Sequence, residues 1–317
     1  MTEAYCLCEN PIVTPLFPVT AEGGGLYELQ RCEVCGLVWD APMPGEAELA
    51  AAYSLAYYSS TEAKFNPLIE AWTRYSGRRR AQALLRKHGR GAAGLRVLDV
   101  GCGRGVLLQG FRKLGADALG IERGGAGFEE IEGIEALSLD DLLASGRTFD
   151  VIVIWHVLEH LPDPQESLAK LRQLLARDGS LFVEVPNFGS LQAGLFGARW
   201  FHLDLPRHLF HFTPDTLAAT LREAGFSIAS TATFSVDQNL YGFLQSALNY
   251  LPVLPANHLY SLLRSKLSLV TLFAILLYIP LAALIAIPAL LDTFLSGVAG
   301  RGAVITTHAR PESGVTA

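Results

Sequence analysis

Leu95-Arg96-Val97-Leu98-Asp99-Val100-Gly101-Cys102-Gly103-Arg104-Gly105 decides how this chain is to be read. An apolar run takes in one carboxylate and then breaks into three glycines at alternate positions. Glycine lets the backbone turn sharply and approach a ligand with no side chain in the way. Apolar residues resume at helical spacing up to Leu114, so the stretch reads as strand, turn and helix, with the free N–H groups of the helix start beside the turn. A parallel sheet binds ligands beyond the carboxyl ends of its strands, which puts Asp99 and the glycines at a binding site. The competing pattern is the dinucleotide fingerprint Gly-x-Gly-x-x-Gly. Counted from Gly101 its third glycine falls on Val106, and counted from Gly103 it falls on Leu108. Both registers fail. A carboxylate ahead of the glycines also suits a cationic ligand better than a pyrophosphate.

Outward from this stretch, strand-like and helix-like segments alternate. Strands are predicted at Leu95–Val100, Ala118–Glu122, Glu135–Asp140, Phe149–Trp155 and Ser180–Val185, then at Phe226–Phe234 and Ala303–His308. Helices are predicted at Gly105–Leu114, Pro164–Ala176 and, behind the cap Thr213, Pro214–Ala224. The alternation implies an α/β fold with a Rossmann-like, doubly wound sheet. The expected organisation is a small module over 1–45, a helical segment and linker over 46–94, an α/β domain over 95–234 with 302–310, and a hydrophobic helical insert over 235–301. Glu46 to Tyr58 and Leu68 to His88 have helical composition and spacing.

Half of the 317 residues are apolar, 18% are charged, and the net charge is -6. That balance excludes broad nucleic-acid binding, which needs a large positive footprint. Arg78-Arg79-Arg80 is the one dense basic run, and it reads as the wet face of a helix. The first residues lack a basic start and an apolar core, so no secretory signal is expected and the chain is placed in the cytoplasm.

The glycine stretch resembles the first motif of class I S-adenosylmethionine-dependent methyltransferases, and Val97 to Gly105 matches its Asp-x-Gly-x-Gly-x-Gly form in full. The resemblance implies a seven-stranded sheet whose last strand is antiparallel, with S-adenosylmethionine as cofactor. It assigns Asp99, Gly101, Cys102, Gly103 and Gly105 to the cofactor loop, where Cys102 reads as packing and not as a nucleophile. Glu122, 21 residues beyond Gly101, would hold the ribose hydroxyls. Asp140, closing the third strand, would lie near the adenine. Trp155-His156-Val157-Leu158-Glu159-His160-Leu161-Pro162-Asp163-Pro164 resembles a motif of small-molecule methyltransferases, including the ubiquinone-pathway type. It would set Trp155 and His156 beside the cofactor, with His160 structural.

Cys6-Leu7-Cys8 and Cys32-Glu33-Val34-Cys35-Gly36 stand 23 residues apart. Four cysteines in two pairs suit a closed, structural zinc site, although the first pair has one residue between its members instead of two. Many methyltransferases of this type resemble the chain here, with a zinc-ribbon-like piece, a Pro-rich turn (Pro42-Met43-Pro44) and a helix bearing tyrosines (Tyr53, Tyr57, Tyr58). A degenerate ribbon without metal is the alternative.

In this architecture the loop after the fifth strand faces the acceptor. Here it reads Trp200-Phe201-His202-Leu203-Asp204-Leu205-Pro206-Arg207-His208-Leu209-Phe210-His211. His208 and His211 are candidate bases, and Arg207 is a candidate for an acidic substrate group. The alternative is that these residues pin the loop by hydrogen bonds.

Leu267 to Leu291 is 25 residues without a charge, preceded by Arg264 and Lys266 and followed by Asp292. Its length suits a membrane span. The strands before and after it pair as an edge hairpin in the family, so the number of crossings must be even or zero. Pro280 suggests a helical hairpin turning near Ile279-Pro280, inserted shallowly from the cytoplasmic face. A full transmembrane hairpin recruiting Leu240–Leu254 and a lipid-free dimerisation arm are alternatives. The expected function is methyl transfer to a small-molecule acceptor at a membrane surface: a lipid-linked sugar, a glycan precursor or a quinone-like lipid. A cofactor-binding module without catalysis, a Rossmann protein of another nucleotide class, and a homo-oligomer stay open. A protein or nucleic-acid methyltransferase has little support: no Asn/Asp-Pro-Pro-Tyr/Phe signature follows the fourth strand.

Overall fold

The computed structural model describes residues 6, 8–21, 24–53, 67–122, 131–251, 257–264 and 269–312. Tyr57, Tyr58 and Lys266 fall outside them. In chain order the first elements are β1 (Val13–Thr20), β2 (Leu26–Cys32), β3 (Val38–Ala41), α1 (Glu46–Ala52) and α2 (Pro67–His88). There follow β4 (Arg96–Val100), α3 (Val106–Lys113), β5 (Asp117–Ile121), β6 (Ile134–Glu135), α4 (Leu139–Ala144), β7 (Phe149–Trp155), α5 (Pro164–Leu174) and β8 (Leu175–Pro186). The last are α6 (Leu191–Phe196), β9 (Phe210–His211), α7 (Pro214–Glu223), β10 (Phe226–Ala232), α8 (Val236–Leu248), α9 (His258–Arg264), α10 (Leu269–Ala299) and β11 (Val304–Pro311).

The chain gathers into two compact units. One comprises Tyr58–Val185, Ala218–Thr231 and Thr306–Ala317 and is built on a seven-stranded sheet ordered β10-β11-β8-β7-β4-β5-β6. Strands β4 to β8 pair in parallel, as the βαβ alternation requires. Ser227 Oγ reaches Arg310 O while Thr231 Oγ1 meets Thr307 Oγ1, so β10 and β11 run in opposite directions. The α/β reading and the seven-stranded mixed sheet therefore hold. The core is the apolar strand set itself, with Val97, Val151, Val153 and Phe182 buried against Leu108 and Phe111 of α3.

The third strand corrects the sequence reading. It stops at Glu135, because Ser138 caps α4 through a capping box with Asp141. Asp140 is thus no strand-end residue: it sits in the first turn of α4, exposed, and pairs with Lys170 of α5 at 2.8 Å.

The other unit comprises Met1–Tyr57, Pro186–Leu217 and Ala232–Ile305. Its sheet is ordered β1-β2-β3-β9, an antiparallel meander closed by two residues from the loop after β8. Leu29, Val38, Trp200, Leu205 and Phe243 form its core. The expected turn at Ile279-Pro280 is absent. α10 is one helix with Pro280 and Pro288 inside it. Each proline removes one helical hydrogen bond, yet the helix continues through both, with Tyr278 before them and Ala289 after them buried.

Between β8 and β11, Ser180 Oγ meets His308 Nε2 at 2.9 Å and also His88 Nδ1 at 2.9 Å, and Phe182 stacks on His308. Burial, reinforced by the charge of Arg310, pushes the His308 imidazole down to about 4 from 6.5. Its folded pKa lies below its unfolded one, so its contribution to stability is complete above pH 6.5 and is lost as the pH falls toward 4. Denaturant unfolding across that window is expected to show up to about 3 kcal/mol of acid destabilisation from this residue. His308→Gln should flatten the profile, and an unchanged slope would contradict the assignment.

Candidate functional site

Parallel pairing sets Asp99 level with Gly120 on β5 and Val153 on β7, at the carboxyl edge of the sheet. The turn that follows is left-handed at Gly101, Gly103 and Gly105. A β-carbon on Gly101 would stand 2.5 Å from Val157 Cγ2, so only glycine allows the two loops to meet. The N–H groups of Gly101 and Cys102 donate to Ile121 O at 2.9 and 3.2 Å, and Gly103 N–H donates to Glu122 Oε2 at 2.8 Å. Above Gly103, among the described residues, no atom lies within 4 Å of where a β-carbon would stand. The turn is therefore open at Gly103, with Glu122 at its side, while Val157 covers Gly101 and Ile134 approaches Gly105.

Asp99 is 2% exposed. Burial pushes its carboxyl up to about 7; the Leu108 N–H opposes this and the neighbouring Glu122 charge adds to it. Its Oδ2 is buried and has no hydrogen-bond partner among the described residues. A buried carboxylate oxygen in that state calls for a cationic or N–H donor. The residues therefore fit a ligand with a cationic end and hydroxyls to offer Glu122.

Cys102 turns its sulfur onto β5, where a β-carbon on Gly120 would meet Sγ at 2.6 Å. Burial and the Asp99 and Glu122 charges push its thiol up, so it packs and does not attack. The Arg80 guanidinium carbon stands 4.5 Å from the Trp155 ring centroid. The basic run is thus no uniform wet face: Arg78 and Arg79 are exposed and Arg80 folds inward. Arg104, between Gly103 and Gly105, pairs with Glu70 of α2 at 2.9 Å. Sequence reasoning missed both pairings, since nothing in either segment names a partner so far along the chain.

His156 has a left-handed backbone, φ 54°. Its Nδ1 lies 3.4 Å from Glu159 Oε1 and its Nε2 3.2 Å from Glu184 Oε1. Burial alone would expel its proton, but the two carboxylates outweigh that and hold the imidazole up at about 9. Thr306 Oγ1 ties Glu184 from the other side at 2.6 Å. His156 thus stands between Glu159 and Glu184, a pairing that sequence reasoning missed.

In the other unit, the loop after β8 turns largely on itself. Arg207 forks onto Asp204, with Nε 2.9 Å from Oδ2. His208 Nδ1 meets His202 O at 2.9 Å; a carbonyl only accepts, so Nδ1 carries the proton and Nε2 is the basic nitrogen. His211, on β9, meets Asp40 of β3 at 2.9 Å, both buried. Asp40 is an unforeseen partner, since the pairing joins residues 171 positions apart. The Cys6, Cys8, Cys32 and Cys35 sulfurs lie within 4.8 Å of one another, and Cys8 and Cys32 are 3.8 Å apart. Gly36, at φ 80°, closes the second knuckle by donating its N–H to Cys32 O at 2.8 Å.

The clamp on His156 has a measurable signature. Its folded pKa is raised, so the stabilisation is complete below 6.5 and lost as the pH rises through about 9. NMR titration of the imidazole is expected to give a midpoint near that value, and Glu184→Gln should bring it down. A wild-type midpoint at or below 6.5 would contradict the clamp.

A family model described as a methyltransferase domain matches residues 71–231. Curated relatives include the ubiquinone biosynthesis O-methyltransferases of Cereibacter sphaeroides, 32% identical over 148 residues (42% of this chain, 60% of the relative), and of Acinetobacter baylyi, 30% identical over 160 residues (45% and 67%). The chain spans about 60% of the length of the first of these. Among solved structures, an S-adenosylmethionine-dependent methyltransferase from Archaeoglobus fulgidus is 21% identical with a TM-score of 0.44, covering 73% of this chain and 93% of its own. The matched stretch takes in the glycine turn, both acids and the His156 loop, and this chain belongs to the methyltransferase-domain family.

Proposed function

We propose that the chain transfers the methyl group of S-adenosylmethionine to a hydroxyl on a small-molecule acceptor. The observation that carries this reading is the unpartnered, buried Oδ2 of Asp99 at the strand end that leads into a turn left open at Gly103. Asp99 meets the cationic end of the cofactor, and Glu122, steadied by Gly103, takes the ribose hydroxyls. Gly101, Gly103, Gly105 and Cys102 shape the turn, with Gly103 its open position, while Trp155 and His156 flank it. Asp140 keeps an adenine-side role only if its pair with Lys170 opens. The cofactor supplies an activated methyl and departs as a neutral thioether, and holding acceptor and methyl in line with water shut out lowers the barrier.

A hydroxyl acceptor needs a base. His208, with Nε2 as its basic nitrogen, and His211, oriented by Asp40, are the candidates; Arg207 and Asp204 hold the loop that presents them. The names of the relatives favour a hydroxyl on a quinone-like lipid over a lipid-linked sugar. A membrane-resident acceptor also agrees with residues 267–291 as the contact with the cytoplasmic face. The four cysteines fit structural zinc: Zn–S bonds of about 2.3 Å place tetrahedral sulfurs about 3.8 Å apart, the separation of Cys8 and Cys32.

Calorimetric titration with S-adenosylmethionine is expected to show about ten- to a hundredfold weaker binding in Asp99→Ala and in Glu122→Ala, the worth of a charge-assisted hydrogen bond. Unchanged affinity in both would overturn the site. His208→Asn and His211→Asn should lower turnover of hydroxylated lipid extracts and spare cofactor binding. Metal analysis should find about one zinc per chain, lost in Cys32→Ser together with part of the thermal stability. A metal-free wild type of equal stability would leave the ribbon degenerate.

A further inference from the structure

Among the described residues one helical stretch, Tyr278–Ala299, is long and apolar enough to cross a membrane, and only 22% of that window is buried. It is therefore no core helix. Its polarity runs opposite to that of a water-facing helix. The buried positions include all of its strongly polar side chains: Asp292, Thr293 and Ser296. Asp292 Oδ2 accepts from Gln192 Nε2 at 2.7 Å, and the same amide reaches Asn239 O at 2.7 Å. The outward face carries Leu284, Ile287, Leu291, Phe294, Leu295 and Val298, from 46% to 76% exposed, and from Leu276 to Ala299 no charge points outward.

At 3.6 residues per turn the exposed positions cover about 220° of the circumference. One partner helix covers a narrow two-row seam. A second copy would therefore leave much of this face wet, and a bilayer would not. We propose that α10 lies along a lipid bilayer with this arc sunk at headgroup and upper acyl depth, and that the chain does not cross the membrane there.

Connectivity rules out the crossing. β10 and β11 are neighbours in one sheet, so the chain leaves and returns on the same side and needs an even number of crossings. The two ends of the insert touch: a β-carbon on Gly302 would stand 1.8 Å from Thr233 O, and Asn239 Oδ1 accepts from Ala303 N. α8 has 13 residues and α9 has 7, each short of the roughly 20 a span requires. With one candidate span among the described residues, the even number is zero. The prolines agree. Pro280 and Pro288, both on the exposed arc, deprive the carbonyls of Leu276 and Leu284 of their helical donors. Headgroup water satisfies such carbonyls and hydrocarbon does not.

This inference rests on the polarity of the helix and not on methyl transfer, so either can fail alone. The full chain is expected to float with vesicles of phosphatidylcholine and phosphatidylglycerol. Ile287→Glu with Phe294→Glu should lower the partition coefficient more than about a hundredfold, since two buried apolar side chains are lost. Cofactor affinity and thermal midpoint should stay as in wild type. As a second measurement that spares the fold, tryptophan is placed at Leu284, Leu291 or Val298 in turn and exposed to brominated lipids. Equal, shallow quenching supports the in-plane position, and quenching graded through the bilayer overturns it. A wild type that ignores vesicles but forms dimers broken by the same glutamates would overturn it too, assigning the arc to a second copy.

Discussion

Burying a carboxylate at the tip of an apolar strand costs several kcal/mol unless something arrives to pair with it. Asp99 sits in that position, and its surroundings keep it so. The left-handed turn at Gly101 brings the chain back over the strand end. Val157 fills the space a side chain on Gly101 would need, and Cys102 drops onto Gly120 and seals the flank. Glu122 is steadied there by the Gly103 N–H. The unit carries two acids at one crevice, in a state that favours binding over compactness. The His156 clamp answers the same electrostatic problem from the next strand, setting an imidazolium against two further buried carboxylates.

The second unit is organised by register. The cysteine knuckle is the turn between β2 and β3, which pair in register from Glu28 opposite Ala41 to Arg31 opposite Val38. That register brings Trp39 opposite Phe210 and Val38 opposite His211. Asp40 then reaches the imidazole of a loop 171 residues away. A module that looks like an appendage along the chain is thereby part of the scaffold for the loop after β8.

Strand order and the glycine turn were legible because they are written locally. Val97 to Gly105 spells strand, turn and helix within nine consecutive positions, and the alternation after it leaves few topologies. The failures are equally physical. Asp140 was misplaced because an apolar run can be read as strand until a cap is recognised, and Ser138 with Asp141 forms that cap two residues earlier. Pro280 was overvalued as a breaker because the neighbouring contacts that carry a helix through a proline come from distant residues. Glu159, Glu184, Asp40 and Arg80 were invisible as partners for the same reason: each acts across a tertiary gap that no spacing encodes.

The touching ends at Thr233 and Gly302 make the insert a closed parenthesis. Loop-closure entropy grows only slowly with length, and here the closure is made by the sheet edge itself. Asn239, inside the insert, also holds the start of β11 by accepting from Ala303 N. The entry and exit of the insert thus meet at a single point of the sheet edge, so its length adds little to what that edge must hold.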